Sequence, residues 1–563
     1  MKDLVLGLHS GANASAAIGR QGRLLYCIQE ERLTGIKGYM GFPHRAIEAC
    51  LRHVDAEPAD VVEVAYGSLD GSVEHCPPQE FLRRLRLVHA PRREPVVVNK
   101  RGARRALGMQ DRVMELLAAV GQFDSVVFYD HHTTHAATAY YGLRADPELP
   151  YLVLTCDGFG DGACATVSVW QAGLQQELAR TAMPDSLGML YFWTTQEYGF
   201  VPHSEEFKLM GMAPYVAPAK AAKAAAVFRR WLKLSEDGLT FERLCTEPIE
   251  QKWPLIARQL RSLRFDAVFA GLQQFTEELL AAWVKAAIRA TGVHDVLVAG
   301  GVFMNVKANQ RIAALPEVAS FAAFPSCGDE SLPIGAFYLG CAKRWDHTAL
   351  TPIADCYLGD DISDEEAAGA LRRTSYQVER PEDMDVAVAE LLAQGKVVAR
   401  AVERMEFGAR ALGNRSILAN PANADLPRIL NQLIKRRDFW MPFAPVLLAT
   451  HQQRYVINPK GLTNPFMMTA FDTVPSAARD MIAAVHPADL TCRAQLVSDM
   501  GSGIGRLLER YHERTGSAVL LNTSLNLHGQ PMVRTAADAL RVFGDSGLEH
   551  MQVGCYLVSK RAG

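Results

Sequence analysis

From Leu4 the chain runs Leu-Val-Leu-Gly-Leu, breaks into the polar His9-Ser10-Gly11-Ala12-Asn13, and turns apolar again through Ile18. That pattern predicts strand, turn and strand, and the glycine-flanked turn at 19–22 leads into a third strand over 24–29. Helices are expected over 43–54 and 111–120, followed by a short buried strand at 126–129 that runs into His131-His132-Thr133-Thr134-His135. A strand over 151–155 ends at Cys156-Asp157-Gly158, and a long helical stretch over 265–291 precedes a strand at 295–299 and the turn Gly300-Gly301-Val302-Phe303-Met304-Asn305. Strands that alternate with helices and end in glycine or acid predict an α/β fold with its site at the carboxyl ends of the strands. Residues 344–352 are polar and aperiodic and suit a linker. Beyond them a helix over 364–373 and a strand over 397–401 restart the pattern. Two domains are therefore expected, 1–345 and 355–563, with no internal sequence repeat.

Composition narrows the function. The chain has 563 residues, 49% of them hydrophobic, and a formal net charge of −3 from 59 Lys and Arg against 62 Asp and Glu. A nucleic-acid partner is not expected, because phosphate contacts call for a basic excess. The short basic runs Arg83-Arg84 and Lys100-Arg101 read as solvated surface. Eleven cysteines without a Cys-x-x-Cys pair suggest neither a disulfide frame nor a zinc ribbon. No leader-like apolar region follows the start and no run is long enough to span a membrane, so a soluble, cytoplasmic protein without a membrane partner is expected.

Three groups of residues carry candidate chemistry. His131 and His135 are four apart, so a helix would place both imidazoles on one face, a spacing that suits two nitrogen ligands on one metal. The plainer alternative is a polar helix start with a capping or core histidine. Strand-end Asp157 and Asp329 would complete a nitrogen and carboxylate set that favours iron, manganese or zinc. Gly300-Gly301 with Asn305 would let backbone amides approach a phosphate or ribose at a helix start. No Gly-x-x-x-x-Gly-Lys-Ser/Thr run exists, which argues against a P-loop ATPase. Arg404, Arg410 and Arg415 among glycines suggest bidentate anion holders, and Lys435-Arg436-Arg437, Arg493 and Asn522-Thr523-Ser524-Leu525-Asn526 add further donors. Together they suit phosphate with a small polar tail; each alone would also fit a surface salt bridge.

Arg404 to Leu418, Lys435 to Pro445 and the 522–526 run resemble the carbamoyltransferases of nodulation and antibiotic tailoring. Glu30-Glu31-Arg32, His131-His132-x-x-His135-Ala136, Asp157-Gly158, Lys208-Leu209-Met210-Gly211, Gly300-Gly301 and Gly328-Asp329 extend the likeness over nearly the whole chain in order. The resemblance implies an N-terminal actin/Hsp70-like ATPase domain joined to a C-terminal α/β domain of the threonylcarbamoyl-adenylate synthase type. It implies His131, His135, Asp157 and Asp329 as ligands of a divalent metal, commonly Fe(II), with Lys208, Gly300, Gly301 and Asn305 at the nucleotide. Lys435 and Arg437 match a Lys-x-Arg signature, Ser524 and Asn526 a Ser-x-Asn signature, and Arg410 and Arg493 fall at the carbamoyl phosphate site. The implied activity is ATP-dependent O-carbamoyl transfer from carbamoyl phosphate, through carbamoyl-adenylate, to an alcohol of a small molecule, in natural-product tailoring such as antibiotic biosynthesis. The oligomeric state stays open, a homodimer being compatible.

Three positions depart from the family pattern: Ala12-Asn13 where His-Asp is frequent, Ala409 where proline is usual, and Met441 where an arginine often stands. His9 is a candidate substitute for the missing histidine. The rival readings are threonylcarbamoyl transfer to tRNA, which the near-neutral charge disfavours, and a non-catalytic actin-like ATP-binding protein, which would have no need of a second anion site.

Overall fold

The computed structural model describes residues 3–69 and 98–560. The run Arg83-Arg84 lies outside them, as do the side chains of Lys100 and Arg101. Two compact units emerge: unit 1 comprises residues 1–34 and 38–354, and unit 2 comprises 35–37 and 355–563.

Unit 1 contains two five-stranded sheets. The first is built from β1 (Leu4–His9), β2 (Ser15–Arg20), β3 (Arg23–Gln29), β4 (Val61–Tyr66) and β5 (Val126–Phe128), in the order β3-β2-β1-β4-β5. The second uses β6 (Tyr151–Gly160), β7 (Ala163–Gln171), β8 (Leu174–Ala182), β9 (Asp295–Ala299) and β10 (Ser320–Ala323), in the order β8-β7-β6-β9-β10. In each, a three-stranded antiparallel meander is extended by two parallel strands. The sheets thus share one topology although the sequence carries no repeat, and this duplicated arrangement is the actin/Hsp70-like architecture. β5 is half-buried rather than fully buried.

The helices that follow the two sheets are exchanged. α1 (His131–Leu143) leaves the first sheet at β5 but packs on β6 and β9 of the second. Three further helices are α2 (Glu206–Met212), α3 (Phe265–Thr291) and α4 (Val306–Ala313). The last, α5 (Leu332–Ala342), leaves the second sheet beyond β10 but packs on β1 and β4 of the first. α5 is apolar on all sides, as a helix buried all round requires. α1 and α5 meet where a Cβ on Gly335 would stand 2.1 Å from the Thr134 carbonyl oxygen, so only glycine permits the approach.

Residues 344–352, expected as a linker, are strapped to unit 1 together with Ile353. Arg144 donates to the carbonyls of His347 and Leu350, Tyr338 Oη donates to that of Thr351, and the amides of Thr351 and Ile353 donate to the carbonyls of Gly22 and Gly142. A polar segment reads as free chain because hydrogen bonds to distant carbonyls leave no hydrophobic period.

Unit 2 is organised by an eight-stranded mixed sheet. Its strands are β11 (Gln377–Glu379), β12 (Val398–Ala401), β13 (Arg415–Ala419), β14 (Ala444–Leu448), β15 (Gln495–Val497), β16 (Val519–Ser524), β17 (His550–Val553) and β18 (Tyr556–Ser559), in the order β11-β18-β17-β12-β13-β16-β14-β15. Alternate residues feed separate cores: Val398, Leu418 and Leu520 join one, Ala399, Ile417 and Leu521 the other. Both faces are covered, which accounts for the nearly continuous apolar strands. Among the described residues no helix is long and apolar enough to cross a membrane.

Candidate functional site

The first site gathers where α1 begins and β6 ends. Asp130 caps α1, accepting from Thr133 N at 2.8 Å, and is itself held by Arg180 at 3.0 Å. Asp161, in the turn after β6, accepts from His131 N at 2.7 Å, Leu69 N at 2.8 Å and Ser68 Oγ at 2.9 Å. It ties the helix start to the loop beyond β4. Gly160 lets the His131 ring pass, since a Cβ there would lie 2.2 Å from it.

With the helix so fixed, His131 and His135 present Nε2 atoms on one face. Asp157 Oδ2 lies 3.1 Å from His135 Nε2 and 3.6 Å from His131 Nε2, and Asp329 Oδ1 is 3.6 Å from each. All four ligand atoms lie within 4.8 Å of one another. Donors about 2.1 Å from a shared ion stand about 3.4 Å apart in a tetrahedral arrangement, so these separations fit one cation. His131 Nε2 and Asp329 Oδ1 are buried and have no hydrogen-bond partner, which marks a place prepared for something else to bind. Burial opposes the charge on Asp157, but His131 and His135 outweigh it and hold its carboxyl well below the usual range. Burial likewise opposes protonation of His135, and the Asp157 and Asp329 carboxylates reverse that effect and raise its pKa. The cluster therefore favours a positive charge at its centre.

Around it, Gly300 adopts φ +100°, and a Cβ there would stand 2.3 Å from the Cys156 carbonyl oxygen. The Gly300-Gly301 turn thus lies directly against the strand that delivers Asp157. Asn305 Oδ1 caps α4 by accepting from Ala308 N at 3.0 Å, and its amide pairs reciprocally with Gln273 on α3 at 2.8 and 2.9 Å. Lys208 on α2 pairs with Glu205 at 2.7 Å and lies 5.3 Å from the Phe200 ring centre. The two glycines and Asn305 are brought together in one turn; Lys208 stands on a different helix.

Two residues at this site escape sequence reasoning. Glu330 is 5% exposed, binds Ser326 Oγ, and receives Asn13 Nδ2 at 3.4 Å; burial pushes its pKa up to about 7. Its only signal is adjacency to Asp329. Asp161 is visible in the Asp157–Gly162 run, but nothing in one dimension shows that it grips His131.

The second site lies in unit 2. A π-turn, Asn431–Lys435, ends at left-handed Arg436 (φ 44°), which aims Lys435 and Arg437 inward. Lys435 Nζ donates to the Ser524 carbonyl, to Ser524 Oγ at 3.2 Å and to Asn526 Oδ1 at 2.8 Å, and Ser524 Oγ donates to Asn526 Oδ1 at 2.7 Å. Arg437 donates to Thr523 Oγ1 at 3.2 Å and lies over Phe443. Burial and Arg437 depress the Lys435 pKa, burial and Arg410 bring Arg437 down to about 10, and burial, Arg410 and Arg437 depress Arg493. Cations crowded where each disfavours the next favour a negative charge among them.

Of the three arginines expected as anion holders in the 404–415 run, two do other work. Arg404 donates to the carbonyls of Leu358 and Gly359, and Arg415, fully buried, donates to those of Val402, Glu403, Asn414, Asp360 and Arg534. Irregular buried chain needs donors for its carbonyls, and these guanidinium groups supply them. The loop is also wound round Glu406, whose Oε1 accepts from the amides of Leu412, Asn414 and Arg415 at 2.7–3.1 Å. Arg410 alone of the three faces Arg437 and Arg493.

The chain matches the family profile Carbamoyltransferase N-terminus over residues 5–338 and Carbamoyltransferase C-terminus over residues 389–560. Nodulation protein NolNO of Sinorhizobium fredii is 28% identical over 566 residues, covering 98% of this chain and 79% of that protein. An uncharacterized protein of Methanocaldococcus jannaschii is 27% identical over 571 residues, covering 99% of this chain and 100% of its own length. Among solved structures, HypF of T. kodakarensis aligns with a TM-score of 0.35 at 11% identity, over 62% of this chain and 50% of that one. A ROK family glucokinase from Streptomyces griseus aligns with a TM-score of 0.29 at 14% identity, over 60% of this chain and 98% of the kinase. With one profile spanning most of unit 1 and the other most of unit 2, the chain belongs to the carbamoyltransferase family.

Proposed function

We propose that this carbamoyltransferase is an ATP-dependent O-carbamoyltransferase acting on an alcohol of a small molecule. The observation that carries the reading is the cation cluster of Lys435, Arg437, Arg410 and Arg493 with Ser524 and Asn526, on the same chain as the imidazole and carboxylate cluster of unit 1. In unit 2 the guanidinium groups and the Lys435 ammonium seat the phosphate of carbamoyl phosphate, and the Ser524 and Asn526 side chains meet its amide end. Water releases phosphate and leaves carbamate. The carbamate oxygen attacks the α-phosphorus of ATP, pyrophosphate departs, and carbamoyl-adenylate results. The acceptor hydroxyl then displaces AMP and becomes a carbamate ester.

His131, His135, Asp157 and Asp329 would hold a divalent metal, Fe(II) by the likeness to relatives. When bound it supplies Lewis acidity toward the carbamoyl carbonyl. The turn at Gly300 and Gly301, with Asn305 and Lys208, receives the nucleotide. Several relatives are nodulation proteins, NolNO among them, which is compatible with a small-molecule acceptor. Pyrophosphate release that requires both ATP and carbamoyl phosphate, together with a one-carbamoyl mass gain on members of a hydroxylated-compound panel, is the expected outcome. Pyrophosphate release independent of carbamoyl phosphate would overturn the reading. A gel shift with total tRNA would favour threonylcarbamoyl transfer instead.

A further inference from the structure

Beside the cation cluster of unit 2 lies a buried acceptor that nothing above employs. Asn522 is 2% exposed, and its Oδ1 has no hydrogen-bond partner. Its Nδ2 donates to the Ala411 carbonyl at 2.9 Å and to Gln495 Oε1 at 3.1 Å. Gln495 Nε2 donates in turn to the Leu412 carbonyl at 2.9 Å, which leaves Gln495 only an oxygen to offer. Both partners of Nδ2 are therefore acceptors, the Asn522 amide cannot be turned round, and the orphaned atom is an oxygen. A buried acceptor left unmet costs free energy, so it marks a place where a ligand donates.

Position ties that oxygen to the cluster. Asn522 and Ser524 are two apart on β16 and leave it on one face, the face where Ser524 meets Lys435. Ala411 follows Arg410, and Gln495 opens β15 just beyond Arg493, so Asn522 is braced by the segments that deliver both arginines. The neighbouring acceptors are engaged. Ser524 Oγ and Asn526 Oδ1 receive Lys435, Thr523 Oγ1 receives Arg437, and Asn526 Nδ2 donates to the Gln530 carbonyl at 2.8 Å. Glu406 Oε2 is buried and unpartnered too, but its carboxylate faces Arg400 and Arg415, which bind carbonyls of the surrounding loop.

We propose that Asn522 Oδ1 accepts a hydrogen bond from the NH2 group of carbamoyl phosphate, and so makes the site selective for a carbamoyl over an acetyl group. The assignment rests on the carbamoyl phosphate reading above. Phosphate oxygens satisfy the ammonium and guanidinium groups, yet they bring no hydrogen to Oδ1. A carbamoyl group does, because its nitrogen carries two. Acetyl phosphate has a methyl group of similar size in the same place, fills the same space and leaves the oxygen unmet. A site built to hydrogen-bond a substrate N–H rejects the analogue that lacks it far more sharply than shape alone would.

The test uses the full chain, with carbamoyl phosphate and acetyl phosphate as probes and phosphate release as the readout. Wild type should favour carbamoyl phosphate by about 100-fold or more in kcat/KM. Asn522→Leu, similar in size but without the acceptor, should bring that preference below about 10-fold, and Asn522→Ala, which adds no bulk to the core, should do the same. Gln495→Met, which removes the brace and keeps the acceptor, should slow both substrates and preserve the preference. In crystals of wild type with phosphonoacetamide, a non-hydrolysable mimic of carbamoyl phosphate, the amide nitrogen should lie within about 3.2 Å of Asn522 Oδ1. Equal losses on both substrates in the Asn522 variants, or an amide nitrogen bound elsewhere, would overturn the assignment. If wild type releases no phosphate from carbamoyl phosphate, the reading beneath it falls as well; release with an unchanged preference in the variants sinks the assignment alone.

Discussion

Replacing Gly300 by alanine perturbs the fold and the metal cluster through one atom. Gly300 sits at φ +100° with ψ 148°, a region that glycine alone occupies at ease, and an L-residue there costs about 1–3 kcal/mol. The new Cβ would also stand 2.3 Å from the Cys156 carbonyl oxygen, a backbone atom of β6 that pairs on both sides. Restoring ordinary contact requires a shift of about 1 Å, and overpacking of that kind costs about 1–3 kcal/mol more. The total, about 4 kcal/mol, is a large share of a typical domain's stability. Denaturant unfolding followed by the fluorescence of Trp170 and Trp283, both fully buried in unit 1, should register it. Because Cys156 immediately precedes Asp157, the same shift should weaken metal binding about 10- to 100-fold in a chelator competition. Gly301→Ala is the matched control: its Cβ would first meet Asp157 Oδ1, at 3.0 Å, an atom that can turn aside. It should lower metal affinity while costing at most about 1 kcal/mol of stability. An unchanged unfolding midpoint in Gly300→Ala would refute the reasoning, since β6 would then not be pinned against the turn.

Lys435→Met should abolish phosphate release from carbamoyl phosphate and leave metal content unchanged; phosphate release at the wild-type rate would exclude Lys435 from the anion site. Asp161→Ala, by freeing the start of α1, should raise the metal dissociation constant about 10-fold or more by chelator competition, with little change in the melting temperature of the metal-free protein. Glu330 has a raised folded-state pKa, so the folded state binds the extra proton between its ordinary 4.5 and about 7. Stability should therefore fall as pH rises through that window, by about 3 kcal/mol, and Glu330→Gln should flatten the dependence measured by denaturant unfolding.

Much of unit 1 can be read along the chain because its strands and helices are locally encoded. The α3 span of Phe265–Thr291 and the β9 span of Asp295–Ala299 follow from apolar runs with clear ends. The pairing of His131 with His135 follows from helical period; Asp157, expected beyond a strand ending at 155, sits inside β6, which runs on to Gly160, and Asp329 opens a turn ahead of α5. What sequence withholds is set by contacts between distant segments. The duplicated sheet order has no sequence echo, because many different apolar residues satisfy the same buried positions. Arg404, Arg410 and Arg415 look alike in one dimension, yet two clasp carbonyls and one faces Arg437 and Arg493. His9 stands out in sequence only through the family resemblance, and its burial within 3.7 Å of Asp329 comes from contacts between distant segments.

The reciprocal exchange of α1 and α5 has a thermodynamic consequence. The imidazole donors ride on a helix that begins in one half and rests on the other, and Asp329 introduces the helix that makes the return crossing. An ion held by all four groups would bind only while both crossings are docked, so its binding free energy is added to the cohesion of the two halves. Loading unit 1 would then act as a latch across the seam, slowing amide exchange in both sheets together, and stripping the ion would release them as a pair.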